Sequence, residues 1–113
     1  MALKKLEKTI LSLQVTTSLG QISKFTHEGP EIIVGRGSEC QIRVNDVGIS
    51  RKHLMIQIKN DQVFLTDLDS SNGTFINEEK INPNEPVLYD TFFLPLRLGP
   101  KLQLLITPEG QIG

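Results

Sequence analysis

The stretch "HLMIQIKNDQVFLTDL", residues 53–68, decides the fold class of this chain. In its first half, Leu54, Ile56 and Ile58 recur at every second position, and "QVFLTDL" alternates in the same way. Successive side chains of a β-strand point to opposite faces, so both halves predict half-buried strands. Asn60-Asp61 stands between them as a turn signal, so the stretch predicts two strands separated by a turn.

Short β-type runs of this kind recur along the chain, and no segment sustains a helical period for three turns. The other runs are "ILSLQVTT" (10–17), "GQISKFT" (20–26), "EIIVGR" (31–36), "QIRV" (41–44), "GTFIN" (73–77), "EKI" (79–81), "TFFLPLRLG" (91–99) and "KLQLLIT" (101–107). Turn signals such as Gly29-Pro30 and Gly99-Pro100 separate them. About ten or eleven short strands with this punctuation predict an all-β sandwich.

The composition excludes several classes of function. The 113 residues carry a net charge of -1 with no block of like charges, so a basic nucleic-acid-binding surface is missing. The apolar run in "MALKKLEKTILSLQV" is interrupted by polar residues, unlike a signal peptide or a membrane span. The lone cysteine, Cys40, can form no internal disulfide. We therefore predict a cytoplasmic protein without nucleic-acid or membrane partners.

Three loops concentrate polar residues: "GRGSEC" (35–40), "DVGISRKH" (46–53) and "DLDSSNGT" (67–74). A sandwich places its chemistry in such loops. Ser50 and His53, with Asp46 or Asp67, form a hydrolytic triad on paper, but no nucleophile-elbow motif accompanies them. A serine and a histidine this close on one loop also align poorly. The sequence therefore predicts no enzyme and no catalytic residues.

Metal binding is also disfavoured. Four residues match positions one, three, five and twelve of a calcium loop: Asp67, Asp69, Ser71 and Glu78. The sixth position of that loop needs glycine but holds Asn72, and the flanks are strand-like where helices are required. His27 and His53 each lack a second local ligand. We therefore predict no metal and no cofactor.

Asn72-Gly73 is a strong signal for a two-residue hairpin turn with positive φ at both residues. The same residues begin a glycosylation acceptor, which the cytoplasmic setting rules out. A hairpin explains Asn72-Gly73, but it does not explain the charged and polar residues of the loops that accompany this turn. The other two loops bring Arg36, Ser50 and Arg51, and the turn itself brings Ser71.

Together the three loops carry the chemistry of an anion site. Arg36 offers a planar fork of donors that keeps its charge, which suits a phosphate dianion. Gly35 and Gly37 beside it permit close approach of the backbone. Ser50 offers a hydroxyl and a backbone N–H, and Asn72 can both donate and accept, as gripping a peptide backbone requires. The other polar residues of the loops are Arg51, Lys52 and Ser71.

Three motifs in this order resemble the forkhead-associated (FHA) domain family, whose pattern is Gly-Arg, Ser-x-x-His and (Ser/Thr)-Asn-Gly-Thr. They stand here as Gly35-Arg36, Ser50-Arg51-Lys52-His53 and Ser71-Asn72-Gly73-Thr74. The resemblance covers residues 9–107, leaving 1–8 as an N-terminal extension and 108–113 as a tail or linker start. It implies about eleven mostly antiparallel strands with ligand loops at one edge. One departure is "VLYDTFFL", where the family commonly has a Gly-Asp turn.

The resemblance implies a module that binds phosphothreonine peptides. The implied phosphate-binding residues are Arg36, Ser50, Arg51 and Ser71. Asn72 would bind the peptide main chain. The residues implied to support the site are Gly35, His53, Gly73 and Thr74. Among them, His53 would brace the loop of Ser50 from beneath.

Such a module would act as an adaptor or regulatory domain alongside Ser/Thr kinases, with a phosphothreonine-containing protein as its partner. Thr9, Thr16 and Thr17 lie near the N-terminus, so a phosphorylated segment of the same polypeptide is a second source of ligand. The alternative function is a phosphate-independent assembly module that contacts partners through sheet surfaces or the N-terminal segment. That module would bind phosphorylated and unmodified peptides alike.

Overall fold

A computed structural model describes residues 10–92 and 94–109 of the chain. The strands are β1 (Ile10–Thr16), β2 (Ile22–Glu28), β3 (Glu31–Gly35), β4 (Ile42–Arg43), β5 (Leu54–Lys59), β6 (Gln62–Asp67), β7 (Thr74–Ile76), β8 (Glu79–Lys80), β9 (Val87–Tyr89), β10 (Leu96–Leu98) and β11 (Leu102–Glu109). Within these described ranges the chain forms no helix, so none that is long and apolar enough to cross a membrane.

The strands form two sheets that pack as a sandwich. One sheet has the order β2-β1-β11-β10-β7-β8, and the other has the order β4-β3-β5-β6-β9. Only the short pair β3–β4 is parallel among the named strand pairs. These eleven mostly antiparallel strands confirm the predicted all-β sandwich.

The hydrophobic core lies between the inner faces of the two sheets. In β1 every second residue is buried and its neighbours are half-buried, as the alternating pattern predicts. The central strands of both sheets contribute the large side chains that are fully buried: Leu11, Leu13, Ile32, Leu54, Ile56, Leu65, Leu104 and Ile106. Removing each such side chain from water gains about 1.5–3 kcal/mol before chain entropy is counted. This packing makes the sandwich a firm base for its loops.

The region around β9 differs from the predicted strands. Val87–Tyr89 forms a strand that the sequence patterns missed, whereas only Leu96–Leu98 of "TFFLPLRLG" is a strand. The buried Tyr89 ring packs edge-to-face on Phe92 with centroids 5.2 Å apart, and its hydroxyl donates to the Leu94 carbonyl at 3.0 Å. These contacts fold the apolar segment into a loop. Its hydrophobic residues therefore reflect loop packing as well as strand formation.

The predicted Asn72-Gly73 hairpin is wrong. Only Gly73 of the two has positive φ, at 86°, and β6 and β7 lie in different sheets. Residues 68–73 carry the chain from one sheet to the other, and packed sheets are about 10 Å apart, too far for a two-residue turn. A turn with positive φ at both positions stands instead at Asn60-Asp61, with 52° and 68°, and joins β5 to β6.

The ends of the described region pair with each other. β1 pairs with β11 along its whole length, and Leu11 stands opposite Pro108. β11 thus continues to Glu109, beyond residue 107 where the sequence placed the domain boundary. The proposed N-terminal extension, Thr9 and residues 110–113 of the proposed tail lie outside the described residues.

We expect Tyr89→Phe to lower the free energy of unfolding by about 1 kcal/mol, because it removes the hydrogen bond to Leu94 and keeps the ring. Tyr89→Leu should cost more, since it also removes the ring contact with Phe92. Urea denaturation of both variants measures the difference. Equal stability of Tyr89→Phe and the wild type would show that the phenol does not hold the loop.

Candidate functional site

Hydrogen bonds tie the three polar loops together at one end of the sandwich. The Ser50 hydroxyl oxygen accepts the backbone N–H of Ser71 at 3.0 Å, which joins the loop before β5 to the loop before β7. The Arg36 backbone N–H donates to the Ser50 carbonyl at 3.0 Å, which joins both to the end of β3. The structure thus brings together residues that are far apart in the sequence.

Arg36 is exposed, and one side of its guanidinium is anchored. Its Nε donates to the Ile49 carbonyl at 2.6 Å, which orients the group along the loop. Neither terminal nitrogen has a hydrogen-bond partner among the described residues. A guanidinium held at Nε presents its remaining N–H groups as a fixed pair of donors. Arg36 is therefore prepared for an anion with two acceptor oxygens.

Ser50, which is bonded to Arg36 through the backbone, and Ser71, which is bonded to Ser50, each carry a hydroxyl group. Because the Ser50 oxygen already accepts a bond from Ser71, its own proton remains for another acceptor. The backbone N–H of Ser50 is not available as the sequence suggested, since it donates to Nδ1 of His53 at 3.2 Å. The Ser71 hydroxyl is exposed and has no partner among the described residues. The loops thus offer hydroxyl donors more than backbone donors.

His53 lies beneath these loops and is fully buried. Its Nδ1 accepts the Ser50 N–H, and its Nε2 lies 2.9 Å from the Gly73 carbonyl, to which it donates. Both bonds together require the neutral imidazole with its proton on Nε2. Burial lowers the pKa of His53, outweighing the opposite effects of the Gly73 carbonyl and of Asp67. His53 is therefore a neutral strut between the loop of Ser50 and the loop of Gly73.

Asp67 and Ser70 form a second support that sequence reasoning missed. The buried Asp67 carboxylate accepts the hydroxyls of Ser70 and Thr74, each at 2.6 Å, and the backbone N–H of Ser70 at 3.1 Å. The Ser70 oxygen accepts the Gly73 N–H at 3.0 Å. Asp and Ser side chains often bond to nearby backbone groups in turns, and their presence in this loop could have pointed to the pair. The network fixes the path of the crossing between β6 and β7.

Asn72 is exposed at the tip of this crossing and is also held in place. Its Nδ2 donates to the Gly48 carbonyl at 3.1 Å, so its Oδ1 remains as an acceptor. Gly99 lies close to the same Gly48 carbonyl. A Cβ at Gly99 would lie 2.5 Å from the Gly48 oxygen, and the φ of Gly99 is +66°. Its N–H donates to the Gly73 carbonyl at 2.8 Å. The Asn72 amide is thus set to accept one backbone N–H.

Gly35 is needed because β3 passes very close to the loop before β5. A Cβ at Gly35 would lie 2.2 Å from the Arg51 carbonyl oxygen, and the Gly37 N–H donates to that same oxygen at 2.9 Å. The Arg51 side chain stays largely exposed, with Nη2 3.6 Å from Oε1 of Glu39. A pair this exposed is weak. Arg51 therefore lies at the rim of the site, where it can exchange Glu39 for another anion.

Comparison with known proteins identifies the class of this sandwich. The sequence model of the FHA domain matches residues 32–91, so the chain belongs to the FHA domain family. It is 38% identical over 73 residues to the FHA domain-containing protein FhaA of Mycobacterium tuberculosis, a match that covers 65% of this chain and 14% of FhaA. The chain therefore corresponds to a small part of that relative.

Solved structures agree with this assignment. A structure from a study of phosphothreonine-dependent FHA domain interactions matches with a TM-score of 0.70 and 28% identity, covering 86% of this chain and 94% of the other. The FhaA FHA domain in complex with the intracellular domain of Rv3910 matches with the same TM-score and identity, covering 86% and 99%. All three sequence motifs thus lie on the fold that their order implied.

The buried state of His53 predicts a pH-dependent stability. Because the pKa of folded His53 is lower than in the unfolded chain, the unfolded state takes up a proton first as the pH falls. The contribution of neutral His53 to the free energy of unfolding should be fully present above about pH 6.5. Below that pH the free energy of unfolding should decline by up to about 1.4 kcal/mol per pH unit. Urea denaturation from pH 7.5 to 5 measures this slope.

Two histidine variants control for the other titrating groups. His53→Gln should lose the part of the slope between pH 6.5 and 5, whereas His27→Gln, on the exposed strand β2, should retain it. If the wild type and His53→Gln respond to pH identically, His53 is not the neutral strut described above.

Proposed function

We propose that this domain binds phosphothreonine-containing peptides through the loops around Arg36, Ser50 and Asn72. One observation carries this proposal. Internal hydrogen bonds occupy one side of each of these three side chains and leave the other side available to a ligand. Arg36 is anchored through Nε, Ser50 through its oxygen, and Asn72 through Nδ2. What remains is a fork of cationic donors, a hydroxyl donor and an amide acceptor.

These remaining groups suit a phosphate ester on a peptide. Phosphothreonine carries a charge of about -1.5 to -2 at neutral pH and three acceptor oxygens. We propose that Arg36 and Ser50 hold these oxygens, with Ser71 and Arg51 adding donors at the rim. The chain as a whole has a net charge of only -1, so recognition rests on placed donors and not on a general positive field.

Asn72 supplies the part of the site that recognises a peptide. Its free Oδ1 can accept a main-chain N–H of the ligand, while its Nδ2 stays on the Gly48 carbonyl. A group fixed before binding loses little conformational entropy on contact, which favours affinity. We therefore assign the peptide main chain to Asn72 and the phosphate to Arg36 and Ser50.

The partner we propose is another protein that carries phosphothreonine, in a cytoplasmic pathway with Ser/Thr kinases. The likeness to FHA domains studied for phosphothreonine-dependent interactions, and to the FhaA domain in complex with an intracellular protein domain, supports this choice. The proposed role is binding, as an adaptor or regulatory module, without catalysis.

A ligand from the same polypeptide is a narrower version of this proposal. Thr16 is the last residue of β1 and pairs with Ile22 and Gln103 on either side. Thr17 accepts the Gln21 N–H through its hydroxyl at 3.1 Å. Both residues are therefore held by the fold, which leaves Thr9, outside the described residues, as the candidate among these three threonines.

We expect Arg36→Ala to weaken phosphothreonine-peptide binding by about thirtyfold or more, because it removes the paired cationic donors. Fluorescence anisotropy with one peptide, phosphorylated and unmodified, measures the effect. Lys59→Ala is the matched control: it removes one positive charge at the far end of β5 and should leave affinity unchanged. Equal binding of both peptides by the wild type would favour a phosphate-independent module.

Asn72→Ala should weaken binding of the same phosphopeptide by about tenfold, since one main-chain hydrogen bond is lost together with the anchor on Gly48. The melting temperature should fall only by the few degrees that one part-buried hydrogen bond contributes. Asn82→Ala also removes an asparagine side-chain hydrogen bond, to Glu85, and should leave affinity intact. A large loss of stability with unchanged affinity would reduce Asn72 to a turn residue.

A further inference from the structure

The loop before β5 orients two of the proposed ligand-binding side chains through its backbone. The Ile49 carbonyl accepts a hydrogen bond from Nε of Arg36 at 2.6 Å. The adjacent Gly48 carbonyl accepts one from Nδ2 of Asn72 at 3.1 Å. The directions of both side chains therefore depend on the path of this short segment. A residue that holds the segment in place influences ligand binding without touching the ligand.

These two residues of the loop are held in different ways. The Ile49 side chain is buried in the hydrophobic core, so core packing fixes its carbonyl. Gly48 has no side chain, and a Cβ there would lie 2.7 Å from Cδ of Pro100. Its backbone N–H is tied instead, because it donates to Oδ1 of Asp46 at 3.2 Å. The carbonyl that anchors Asn72 thus relies on Asp46.

Asp46 is in turn held by the β1–β2 loop. Its Oδ2 accepts both the Ser18 hydroxyl at 2.6 Å and the Ser18 backbone N–H at 2.9 Å. Burial acts to raise the pKa of Asp46, but the hydrogen bonds from Ser18 and Gly48 hold it below its ordinary value. The carboxylate is therefore charged at neutral pH, and both of its oxygens are occupied. The β1–β2 loop is closed by a hydrogen bond from the Thr17 N–H to the Gln21 carbonyl at 2.9 Å, which makes it a firm anchor.

We propose that Ser18 and Asp46 are positioning residues, which set Asn72 for the main chain of the ligand. The inference rests on the proposed function and adds two residues that none of the three sequence motifs contains. Ser18 donates to Asp46, and Asp46 accepts the Gly48 N–H. The Gly48 carbonyl then accepts the Asn72 amide. Direct contact between Asp46 and the ligand phosphate is unfavourable, because both carry negative charge.

We expect Asp46→Ala to weaken phosphothreonine-peptide binding about five- to tenfold, because the Gly48 carbonyl loses its anchor and Asn72 loses its direction. The loss should not exceed that of Asn72→Ala, since Asp46 makes no contact with the ligand. Fluorescence anisotropy with the phosphopeptide measures both variants.

A double-mutant cycle separates positioning from a general structural role. If Asp46 acts through Asn72, the double variant Asp46→Ala/Asn72→Ala should bind less than about twofold more weakly than Asn72→Ala alone. A residue that only stabilised the fold would contribute its own loss independently, and the two fold-changes would multiply. Multiplied losses would therefore overturn the positioning role.

Ser18 gives a milder test, because it is exposed and its replacement leaves Asp46 in place. Ser18→Ala removes one of the two hydrogen bonds to Oδ2 and should weaken binding about two- to threefold. Ser18→Thr keeps the hydroxyl and should bind as the wild type does. Ser18→Glu brings a second negative charge to the carboxylate and should cost more than Ser18→Ala. Ser23→Ala, which removes an exposed hydroxyl from β2, is the matched control and should leave affinity unchanged.

The outcomes separate this inference from the proposed function. Melting curves check that the variants fold, and if Asp46→Ala does not, Ser18→Glu replaces it in the cycle with Asn72→Ala. Wild-type affinity in the folded variant used for the cycle, or a loss that multiplies with that of Asn72→Ala, would overturn the positioning role and leave phosphate recognition intact. Equal binding of phosphorylated and unmodified peptide by the wild type would overturn the proposed function, and the positioning role with it.

Discussion

The two hydrogen bonds of a buried imidazole hold the functional end of this protein together. His53 accepts the Ser50 N–H and donates to the Gly73 carbonyl, so a single ring fixes the distance between two loops. Because the ring is fully buried, the loss of either partner would leave a polar group without water to replace it. Both loops must therefore keep their positions for the imidazole to stay satisfied. This constraint gives the site its shape in the absence of ligand.

A second buried group, the Asp67 carboxylate, holds the crossing between β6 and β7 by hydrogen bonds in the same way. Asp67 accepts bonds from Ser70 and Thr74, and its Oδ1 lies 4.0 Å from Nε2 of His53. The buried polar groups thus adjoin each other directly under the exposed donors. In such a network each member depends on the others, and satisfied networks rigidify a site. The exposed residues can then meet a phosphate with little rearrangement, and in our proposal this preorganisation lowers the entropic cost of binding.

Much of the fold could be predicted from local patterns, and the exceptions have physical causes. Alternation identified strands such as β1, β5 and β6, because each has one face in the core. β9 was missed because Val87–Tyr89 does not alternate: all three residues are apolar, although Leu88 is exposed. The Asn72-Gly73 turn was misassigned because its dipeptide fits a hairpin, while the strands on either side pair within different sheets. No local pattern reports which sheet a strand will join.

The sequence by itself determined the fold class and named the candidate residues of the three motifs, because alternation and motif order can be read along the chain. Only the tertiary structure decided how these residues share their hydrogen bonds. In the folded chain the Ser50 N–H donates to His53, and the Ser50 hydroxyl proton remains available. The Asn72 amide nitrogen donates to the Gly48 carbonyl. The tertiary structure also joined the β1–β2 loop to the loop before β5, through the hydrogen bonds that Ser18 donates to Asp46. Such contacts depend on close approach between separate loops, which residue types and spacing do not specify.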